Sequence, residues 1–347
     1  MRFRAILLFP FSMIFALILS IRHALFDFGI LKSREAELPI IRIGNLALGG
    51  TGKTPFTEYI LHSFSKEFQL GVVSRGYGRK NRDLREVCVE DSALISGDEP
   101  LQIKRKFPQT PIFLNSNRFD AIKNLREKYA DLQLAVLDDA LQHRKLRGGF
   151  KILLTDIARP FYEDWLVPSG YLRDLKSRAH DVDVIVMTKM NENQFSSVKA
   201  AWIKEALKEF EKPVFFTAIA YKEPKAVFDN DKLFMANQKQ ALLVTGIANS
   251  NALYSHLDSQ NIDIDHLNFS DHHNYSESDL FKIRKKYQGL QNDSVIFTTE
   301  KDAQRLRTHE KVEIISDLPI YSIGIEVKFL QEEEEFKSLI KAYVREN

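Results

Sequence analysis

The sequence predicts an α/β protein with a mostly parallel sheet, helices on both faces and a second, smaller α/β/α domain. Three observations support this prediction. Short apolar runs alternate with helical patterns over most of the 347 residues. A glycine-rich turn joins the first of these runs to a helix. A polar, lysine-rich stretch at 221–240 interrupts the alternation, which resumes at residue 241. A chain of this length suits two domains better than one.

The first element is an uncharged apolar run at residues 5–21, followed by Arg22 and His23. A signal peptide would need a small-residue cleavage site, to which this sequence is a poor match. A full membrane span needs about 20 apolar residues, and Pro10 would kink this shorter run. A helix buried in the globular core is a further alternative. We favour a membrane-associated helix within an N-terminal segment of residues 1–35, with arginines at the lipid headgroups.

The first domain, predicted over residues 36–220, contains short apolar strands separated by helical patterns. The predicted strands are 40–43, 70–74, 112–114, 134–137, 151–155, 184–188 and 214–218. The predicted helices are 54–67, 100–106, 118–129 and 193–210. Strands separated by helices form parallel sheets, which bind ligands at the carboxyl ends of their strands. We therefore expect the functional side chains at that edge.

The second domain, predicted over residues 241–328, repeats this alternation on a smaller scale. It follows a linker at 221–240, for which a two-stranded hairpin is one interpretation. The predicted strands are 241–245, 264–269, 294–298 and 319–325, and the predicted helices are 252–260, 276–287 and 301–307. A closing helix is predicted within residues 329–347. Its acidic run is typical of a solvated helix face rather than of a metal site.

The glycine-rich turn carries the strongest chemical signal in the chain. Residues 40–55 read IIRIGNLALGGTGKTP, so that a strand leads into a turn and then into a helix. Backbone N–H groups in such a turn point at phosphate oxygens, and the helix dipole favours their negative charge. Lys53 would reach the β- and γ-phosphates, and the Thr54 hydroxyl would bind Mg²⁺. Ala47 stands where the strict pattern has glycine, and a plain β–α turn with a surface lysine is the alternative. The predicted nucleotide contacts are Gly49, Gly50, Thr51, Gly52, Lys53 and Thr54.

A second chemical signal lies at residues 134–143, which read LAVLDDALQH. A strand that ends in carboxylates is the partner that a phosphate-binding loop needs, because one carboxylate holds Mg²⁺ directly or through water. We assign Asp138 to the metal first. Asp139 either joins the metal shell or shapes the site, and His143 either contacts nucleotide or substrate or is structural. Together, the two signals predict a nucleoside-triphosphate site with Mg²⁺.

Two further segments carry candidates for proton transfer. Asp98 and Glu99 open a predicted helix, where acidic residues are favoured by the helix dipole or serve as a base that faces the phosphates. In the second domain, a polar loop carries His272 and His273. One of them would orient or deprotonate a nucleophile across a cleft between the domains. A solvated surface loop is the alternative.

Three segments suit anionic groups of a substrate, because guanidinium groups and turn amides bind such groups well. The segment 74–79 reads SRGYGR, Arg118 opens a helix, and 167–174 contains a glycine turn before Leu-Arg. The substrate-binding candidates are Arg75, Tyr77, Arg118, His143 and Arg173.

Composition excludes several classes of protein. A formal net charge of +2 is too balanced to favour a nucleic-acid binder. With a single cysteine, Cys88, the chain can form no intramolecular disulfide and no cysteine-rich zinc site, and it fits a reducing cytosol. No feature of the sequence indicates an obligate oligomer, so we expect a monomer.

Six motifs occur in one order along the chain. They are GNLxxGGTGKTP, SRGYGR, GDEP, DDxLQH, PxGxLR and DHH. This set resembles the tetraacyldisaccharide 4′-kinase family of Gram-negative bacteria, and the resemblance spans nearly the whole chain. It implies transfer of the γ-phosphate of ATP to the 4′-hydroxyl of a tetraacylated glucosamine disaccharide 1-phosphate, a step in lipid A synthesis. It also implies a monotopic enzyme on the cytoplasmic leaflet of the inner membrane, with two α/β/α domains joined by a two-stranded linker.

The resemblance also implies roles for individual residues. Lys53 and Thr54 match the phosphate-binding lysine and threonine of the family, and Asp138 and Asp139 match its magnesium-associated pair. Asp98 matches the catalytic aspartate, and His272 matches the histidine paired with it, with His273 as the second choice. The chain departs from the family pattern at Ala140, where glycine is usual, and at Asp174, where many members have glutamate.

Two other classes of protein stay open from the residues alone. One is a membrane-associated P-loop NTPase switch, although 188–191 reads TKMN and so lacks the Asn-Lys-x-Asp pattern of GTPases. The other is a tethered binding module with a vestigial loop, against which the intact Lys53, Thr54 and Asp138 argue. A kinase for another lipid or sugar is the nearest alternative among enzymes.

Overall fold

The computed structural model describes residues 2–77, 79, 81, 83–228, 238–271, 273–291 and 293–347, with side chains from residue 5 onward. The strands are β1 (Arg34–Glu35), β2 (Ile40–Gly44), β3 (Leu70–Ser74), β4 (Arg85–Glu86), β5 (Ile112–Leu114), β6 (Leu134–Leu137), β7 (Leu146–Arg147), β8 (Phe150–Asp156), β9 (Val184–Thr188), β10 (Val214–Tyr221), β11 (Lys225–Ala226), β12 (Gln240–Thr245), β13 (Asp263–Asn268), β14 (Val295–Thr299), β15 (Ile320–Ile323) and β16 (Ile325–Phe329).

The helices lie between these strands and at the two ends of the chain. They are α1 (Arg2–Asp27), α2 (Lys53–Phe64), α3 (Ala93–Ser96), α4 (Asp98–Lys106), α5 (Arg118–Lys128), α6 (Ser197–Ala206), α7 (Asn251–Asp258), α8 (Glu277–Gln288), α9 (Glu300–Arg307) and α10 (Glu333–Glu346). Short 3₁₀ helices occupy Lys176–Asp181, Glu192–Gln194, Lys208–Phe210 and Val312–Ile314.

The larger sheet has the order β16-β10-β9-β8-β2-β6-β3-β5-β4 in the part of the chain that the structure describes. All neighbours from β10 to β5 are parallel, and only the two edge strands β16 and β4 run antiparallel. The inner strands are buried on both faces, as their apolar runs predict. The predicted α/β fold with a mostly parallel sheet is therefore confirmed.

The core beneath the glycine-rich turn is aromatic. Helix α2 buries Phe56 and Phe64 against the sheet, and the C-terminal helix α10 packs on the same cluster through Phe336. The Phe336 ring lies 5.7 Å from that of Phe56 and 5.3 Å from that of Phe215. The end of the chain thus closes the core of the first domain.

The second sheet has the order β11-β15-β14-β12-β13 among the described residues, with parallel pairing from β13 to β15. The single strand predicted at 319–325 is wrong, because the chain divides at Gly324. Strand β15 stays in the second sheet, whereas β16 pairs with β10 in the first sheet. The antiparallel pair of β10 and β16 therefore connects the two sheets.

The hairpin suggested for 221–240 stays a prediction, since residues 229–237 lie outside the described residues. Within residues 221–240, strand β11 pairs with β15. The domain boundaries at 36–220, 221–240, 241–328 and 329–347 likewise stay predictions. In the structure, β16 and α10 both pack on the first sheet.

Helix α1 is long and apolar, and its side chains are mainly exposed. The stretch Ala5–Asp27 is long and apolar enough to cross a membrane. Of its most apolar 18-residue segment, 11% is buried against the protein. This exposure does not fit the alternative of a helix buried in the core. The helix contacts the first domain at a few points: Ser12 Oγ donates to Leu166 O at 2.9 Å, and His23 Nε2 lies 2.7 Å from Asp174 Oδ1.

We predict that Phe336→Ala destabilises the protein by about 3–5 kcal/mol, because it leaves a cavity in the aromatic core. Phe281→Ala is the matched control, since Phe281 is 54% exposed on α8. Thermal and urea unfolding of the two variants measure the difference. Equal stabilities would contradict the packing of α10 as a part of the first core.

Candidate functional site

The site lies where the parallel strands of the larger sheet end. The turn after β2 leads into α2, the neighbouring strand β6 is followed by Asp138 and Asp139, and β8 and β9 end beside them on the other flank. Because all these strands point the same way, their carboxyl ends meet at one edge. The candidates Lys53, Thr54, Asp138 and Asp139 lie at this edge, and their function stays a prediction.

The glycine-rich turn adopts a backbone that favours glycine. Gly49 and Gly52 have φ angles of 105° and 91°, in the left-handed region that L side chains rarely adopt. Helix α2 begins at Lys53 directly after Gly52. The helix N-terminus therefore faces the turn, as a phosphate-binding loop requires. Contact of residues 49–54 with a nucleotide stays a prediction.

Asp139 lies at the centre of a group of cations. Its carboxylate accepts hydrogen bonds from both terminal nitrogens of Arg173, with Nη1 3.1 Å from Oδ2, and Lys53 Nζ lies 3.8 Å from Oδ1. Burial alone would raise the pKa of Asp139, but the hydrogen bond from Arg173 and the charges of Lys53 and Arg118 lower it. Asp139 is therefore ionised and orients both Lys53 and Arg173.

Asp138 has the opposite environment. It is buried, and its Oδ1 atom has no hydrogen-bond partner among the described residues. Burial raises the pKa of Asp138 to about 7, and the charges of Glu99 and Asp139 act in the same direction against Lys53 and Arg118. A cation at this carboxylate would relieve that cost, because it would favour the ionised form.

The oxygen donors present fit a magnesium ion. Mg²⁺ in phosphate sites is held by one or two carboxylates or hydroxyls, with phosphates and water completing the octahedron. Asp138, with its unpartnered oxygen, and the hydroxyl of Thr54 at the start of α2 are of the required type. Within the described ranges, no cluster of three His, Cys, Asp or Glu side chains could hold a metal ion alone. A ligand phosphate would therefore have to contribute.

The remaining substrate candidates occupy different environments. Arg118 is buried and donates to Asn115 O at 2.6 Å and to Asp138 O at 3.3 Å, so it braces the end of β6. Burial lowers the pKa of Arg118 to about 10. Burial, with the charge of Arg118, also lowers the pKa of His143 to about 4, so that its imidazole is neutral. Arg75 and Tyr77 are exposed beyond β3.

Asp98 lies between the two sheets. It is buried at the start of α4, directly after Gly97, and its carboxylate contacts Arg305 of α9. Lys301 Nζ lies 3.7 Å from Asp98 Oδ2 and 3.0 Å from Glu99 Oε1. Asp98 is thus held by basic residues of the second sheet's last crossover helix.

The two candidate histidines have different outcomes. His272 lies outside the described residues, so its pairing with Asp98 stays a prediction. His273 Nε2 lies 3.0 Å from Asp279 Oδ2, and its ring stacks on Phe269 with centroids 4.6 Å apart. His273 therefore belongs to the cap of α8 in this structure.

Sequence reasoning missed three contacts at this edge. Asn45 Oδ1 accepts from Arg173 Nη2 at 2.6 Å, and Arg305 and Lys301 contact Asp98. The position of Asn45 directly before the glycine-rich turn was a usable signal. The two basic residues of α9 resemble any charged helix face, and no local pattern distinguishes them.

Comparison with known proteins gives consistent similarities over nearly the full chain. The family model of tetraacyldisaccharide-1-P 4′-kinase matches residues 4–345. A tetraacyldisaccharide 4′-kinase from Flavobacterium johnsoniae is 38% identical over 98% of this chain and 97% of its own. One from Bacteroides fragilis strain YCH46 is 36% identical over 98% and 93%. A crystal structure of an "apo" form of LpxK from Aquifex aeolicus in complex with ATP covers 98% of this chain and 99% of its own, with 24% identity and a TM-score of 0.76, and shows the same fold.

We predict that Asp138→Asn raises the melting temperature by about 2–6 °C at pH 8, because it removes a buried carboxylate whose pKa is raised. The ionised carboxylate costs stability fully above pH 7, and this cost disappears as pH falls from about 7 to about 4. The gain should therefore shrink to less than half at pH 5.

Asp139→Asn is the matched control, since the lowered pKa of Asp139 predicts a loss of stability at pH 8. Thermal unfolding with EDTA present, at pH 8, 6.5 and 5, measures both variants. A fall in melting temperature for Asp138→Asn at pH 8 would contradict the assignment of an uncompensated carboxylate.

Proposed function

The chain belongs to the tetraacyldisaccharide-1-P 4′-kinase family, and we propose how its residues carry out the reaction of that family. The protein is an ATP-dependent kinase that phosphorylates the 4′-hydroxyl of a tetraacylated disaccharide 1-phosphate in lipid A synthesis. The observation that carries the proposal is the glycine-rich turn with Lys53 beside the buried Asp138 and the partly exposed Asp139. A regulatory NTPase switch is not favoured, because full-length relatives are kinases.

ATP would bind along residues 49–54, with its phosphates at the N-terminus of α2. Lys53 would lie against the β- and γ-phosphates. Its Nζ atom lies 3.8 Å from Asp139 Oδ1, at the loop where these phosphates would bind. Asp138 and Thr54 would hold Mg²⁺, with Asp139 nearby. The ion would supply positive charge that shields the phosphates. Asp139 keeps Lys53 and Arg173 oriented while the nucleotide binds.

Asp98 would accept the proton of the 4′-hydroxyl as that oxygen attacks the γ-phosphorus in line. Its position at the start of α4, between the two sheets, supports this role. Arg305 and Lys301 would hold its carboxylate in place. His272 would be its partner, as the family resemblance implies. Since the transition state of phosphoryl transfer is loose, positioning and electrostatics would supply most of the acceleration.

The disaccharide would enter beside Arg173, whose guanidinium lies between Asn45 and Asp139. Arg75, Tyr77, Arg118 and His143 are the other proposed substrate contacts. Arg75 and Tyr77 are exposed and accessible, whereas the buried Arg118 would act through the end of β6.

The acyl chains would stay near the bilayer along α1. His23 of α1 contacts Asp174, the residue after Arg173, so the helix lies directly behind the proposed disaccharide site. The exposed apolar side chains of α1 would lie in the headgroup and upper acyl region of the membrane. We propose the cytoplasmic leaflet of the inner membrane, where ATP is available, and a monomeric enzyme.

We predict that Asp98→Asn lowers kcat about 10²–10⁴-fold, because the amide cannot accept the proton. ATP binding should stay within a few-fold of the wild type. Transfer of labelled phosphate to the lipid, with calorimetric titration of ATP, measures both effects. Asp131→Asn, at an exposed position, is the control. A rate within tenfold of the wild type would contradict the role of Asp98 as the base.

We predict that the double variant Leu7→Glu, Ile14→Glu binds anionic vesicles at least tenfold more weakly than the wild type. The two substitutions place charges on side chains of α1 that would otherwise be buried in lipid. The two side chains are 67% and 58% exposed. Flotation with phosphatidylglycerol and phosphatidylethanolamine vesicles measures the bound fraction. Val198→Glu, at a 78% exposed position of α6, is the control. Undiminished binding of the double variant would exclude α1 as the membrane contact.

A further inference from the structure

We propose that Thr188 and Lys189, at the end of β9, are positioning residues that hold the phosphate-binding loop in its binding conformation. The inference rests on the proposed nucleotide site and assigns a role to a segment that the mechanism above leaves unused. These residues act on the loop backbone and do not contact the phosphates themselves.

Lys189 bridges the loop and the neighbouring strand. Its Nζ atom donates to the carbonyl oxygen of Gly50 and lies 2.7 Å from Asp156 Oδ2 at the end of β8. The ion pair with Asp156 fixes the ammonium group and compensates its charge. Lys189 therefore serves as a hydrogen-bond donor to the backbone, whereas Lys53 provides the cation for the phosphates.

The backbone of Lys189 supports a built-in role. Its φ angle of 59° lies in the left-handed region, which costs a residue with a side chain about 1 kcal/mol or more. This conformation follows directly after β9 and directs the side chain across β8 toward the loop. A strained conformation persists where surrounding contacts hold it, and the contacts with Gly50 and Asp156 are such contacts.

Thr188 makes the second contact with the loop. Its buried hydroxyl lies 2.9 Å from the carbonyl oxygen of Thr51 and 3.2 Å from that of Thr155. A hydroxyl carries one proton, so it is shared between the two carbonyls, with the shorter contact to the loop. Thr188 and Lys189 thus hold two successive carbonyl groups of the glycine-rich turn.

Holding these carbonyls also orients the neighbouring N–H groups. In a trans peptide the C=O and the following N–H point in opposite directions. With the carbonyls of Gly50 and Thr51 directed toward β8 and β9, the N–H groups of Thr51 and Gly52 point away from those strands. Among the described residues, no backbone carbonyl accepts a hydrogen bond from either group. Both are therefore directed for binding an anion before it arrives.

The contacts of Thr188 and Lys189 with the loop, together called the brace, should affect the KM for ATP. A loop that must be ordered on binding loses nucleotide affinity, because the ordering lowers the net binding free energy. The lipid site and the proposed base Asp98 lie on other elements. Loss of the brace should therefore raise the KM for ATP and leave the KM for lipid unchanged.

The test uses Lys189→Met, Thr188→Val and Asp156→Asn in the full-length protein. ATP binding is measured by calorimetry without lipid, and KM and kcat are then measured with lipid in detergent micelles. Lys204→Met is the matched control, because Lys204 Nζ lies 2.9 Å from Glu332 in a comparable ion pair remote from the loop. Lys189→Met should weaken ATP binding about 10–100-fold, and Thr188→Val about 3–10-fold, with melting temperatures near that of the control.

Asp156→Asn separates bracing from direct contact with phosphate. If Lys189 braces the loop, loss of its partner also weakens ATP binding. Tighter ATP binding by Asp156→Asn would assign Lys189 to the phosphates and overturn the inference. Wild-type affinity of both Lys189→Met and Thr188→Val would also overturn it. Failure of the wild-type protein to bind ATP would instead refute the proposed nucleotide site, on which the inference rests.

Discussion

The charge balance of the site depends on two adjacent carboxylates where β6 ends, Asp138, which is buried, and Asp139, which is partly exposed. Asp138 and Asp139 are neighbours in the chain, and the charge of Asp139 adds to burial in disfavouring the ionised form of Asp138. Asp139 is compensated by Arg173 and Lys53, whereas Asp138 keeps an oxygen without a hydrogen bond. The unpartnered oxygen of Asp138 is therefore the place where the Mg²⁺ ion of a bound nucleotide would add positive charge.

The neighbouring elements bring cations to these carboxylates at the same edge of the sheet. Lys53 comes from the start of α2 after the glycine-rich turn, and Arg118 comes from the start of α5. Arg173 comes from the loop between β8 and the 3₁₀ helix Lys176–Asp181. The second sheet adds charged residues of both signs through α9, where Arg305 contacts Asp98 and Glu300 contacts Lys106 of α4. Helix α4 is thereby held at both ends by α9. The proposed base consequently depends on both sheets for its position.

Much of this arrangement follows from the sequence, for identifiable physical reasons. Buried parallel strands read as short apolar runs, so the bounds predicted at 70–74, 112–114, 134–137 and 184–188 agree with β3, β5, β6 and β9. The rule that ligands bind at carboxyl ends then places Asp138 near Lys53. The helix predicted at 193–210 was less accurate: α6 covers its middle and 3₁₀ turns flank it.

The remaining contacts depend on tertiary structure that no local pattern encodes. Gly324 separates two strands that a continuous apolar run had suggested to be one. Arg305 meets Asp98 across 207 positions of chain, and Lys189 meets Gly50 across 139. Such pairs need the strand order of the sheet, which periodicity does not give. The basic and polar residues that position a site are thus harder to predict than the residues that bind its ligand.

The position of the transferred phosphate in the product distinguishes a lipid kinase from a nucleotide hydrolase. Wild-type protein in phospholipid micelles would be given ATP labelled at the γ-phosphate and a purified tetraacyldisaccharide 1-phosphate. The product would be examined by mass spectrometry and ³¹P NMR. We expect a bisphosphorylated lipid with the label at the 4′-position, formed only with magnesium present. Release of labelled phosphate into water without labelled lipid would contradict the assignment of a lipid kinase.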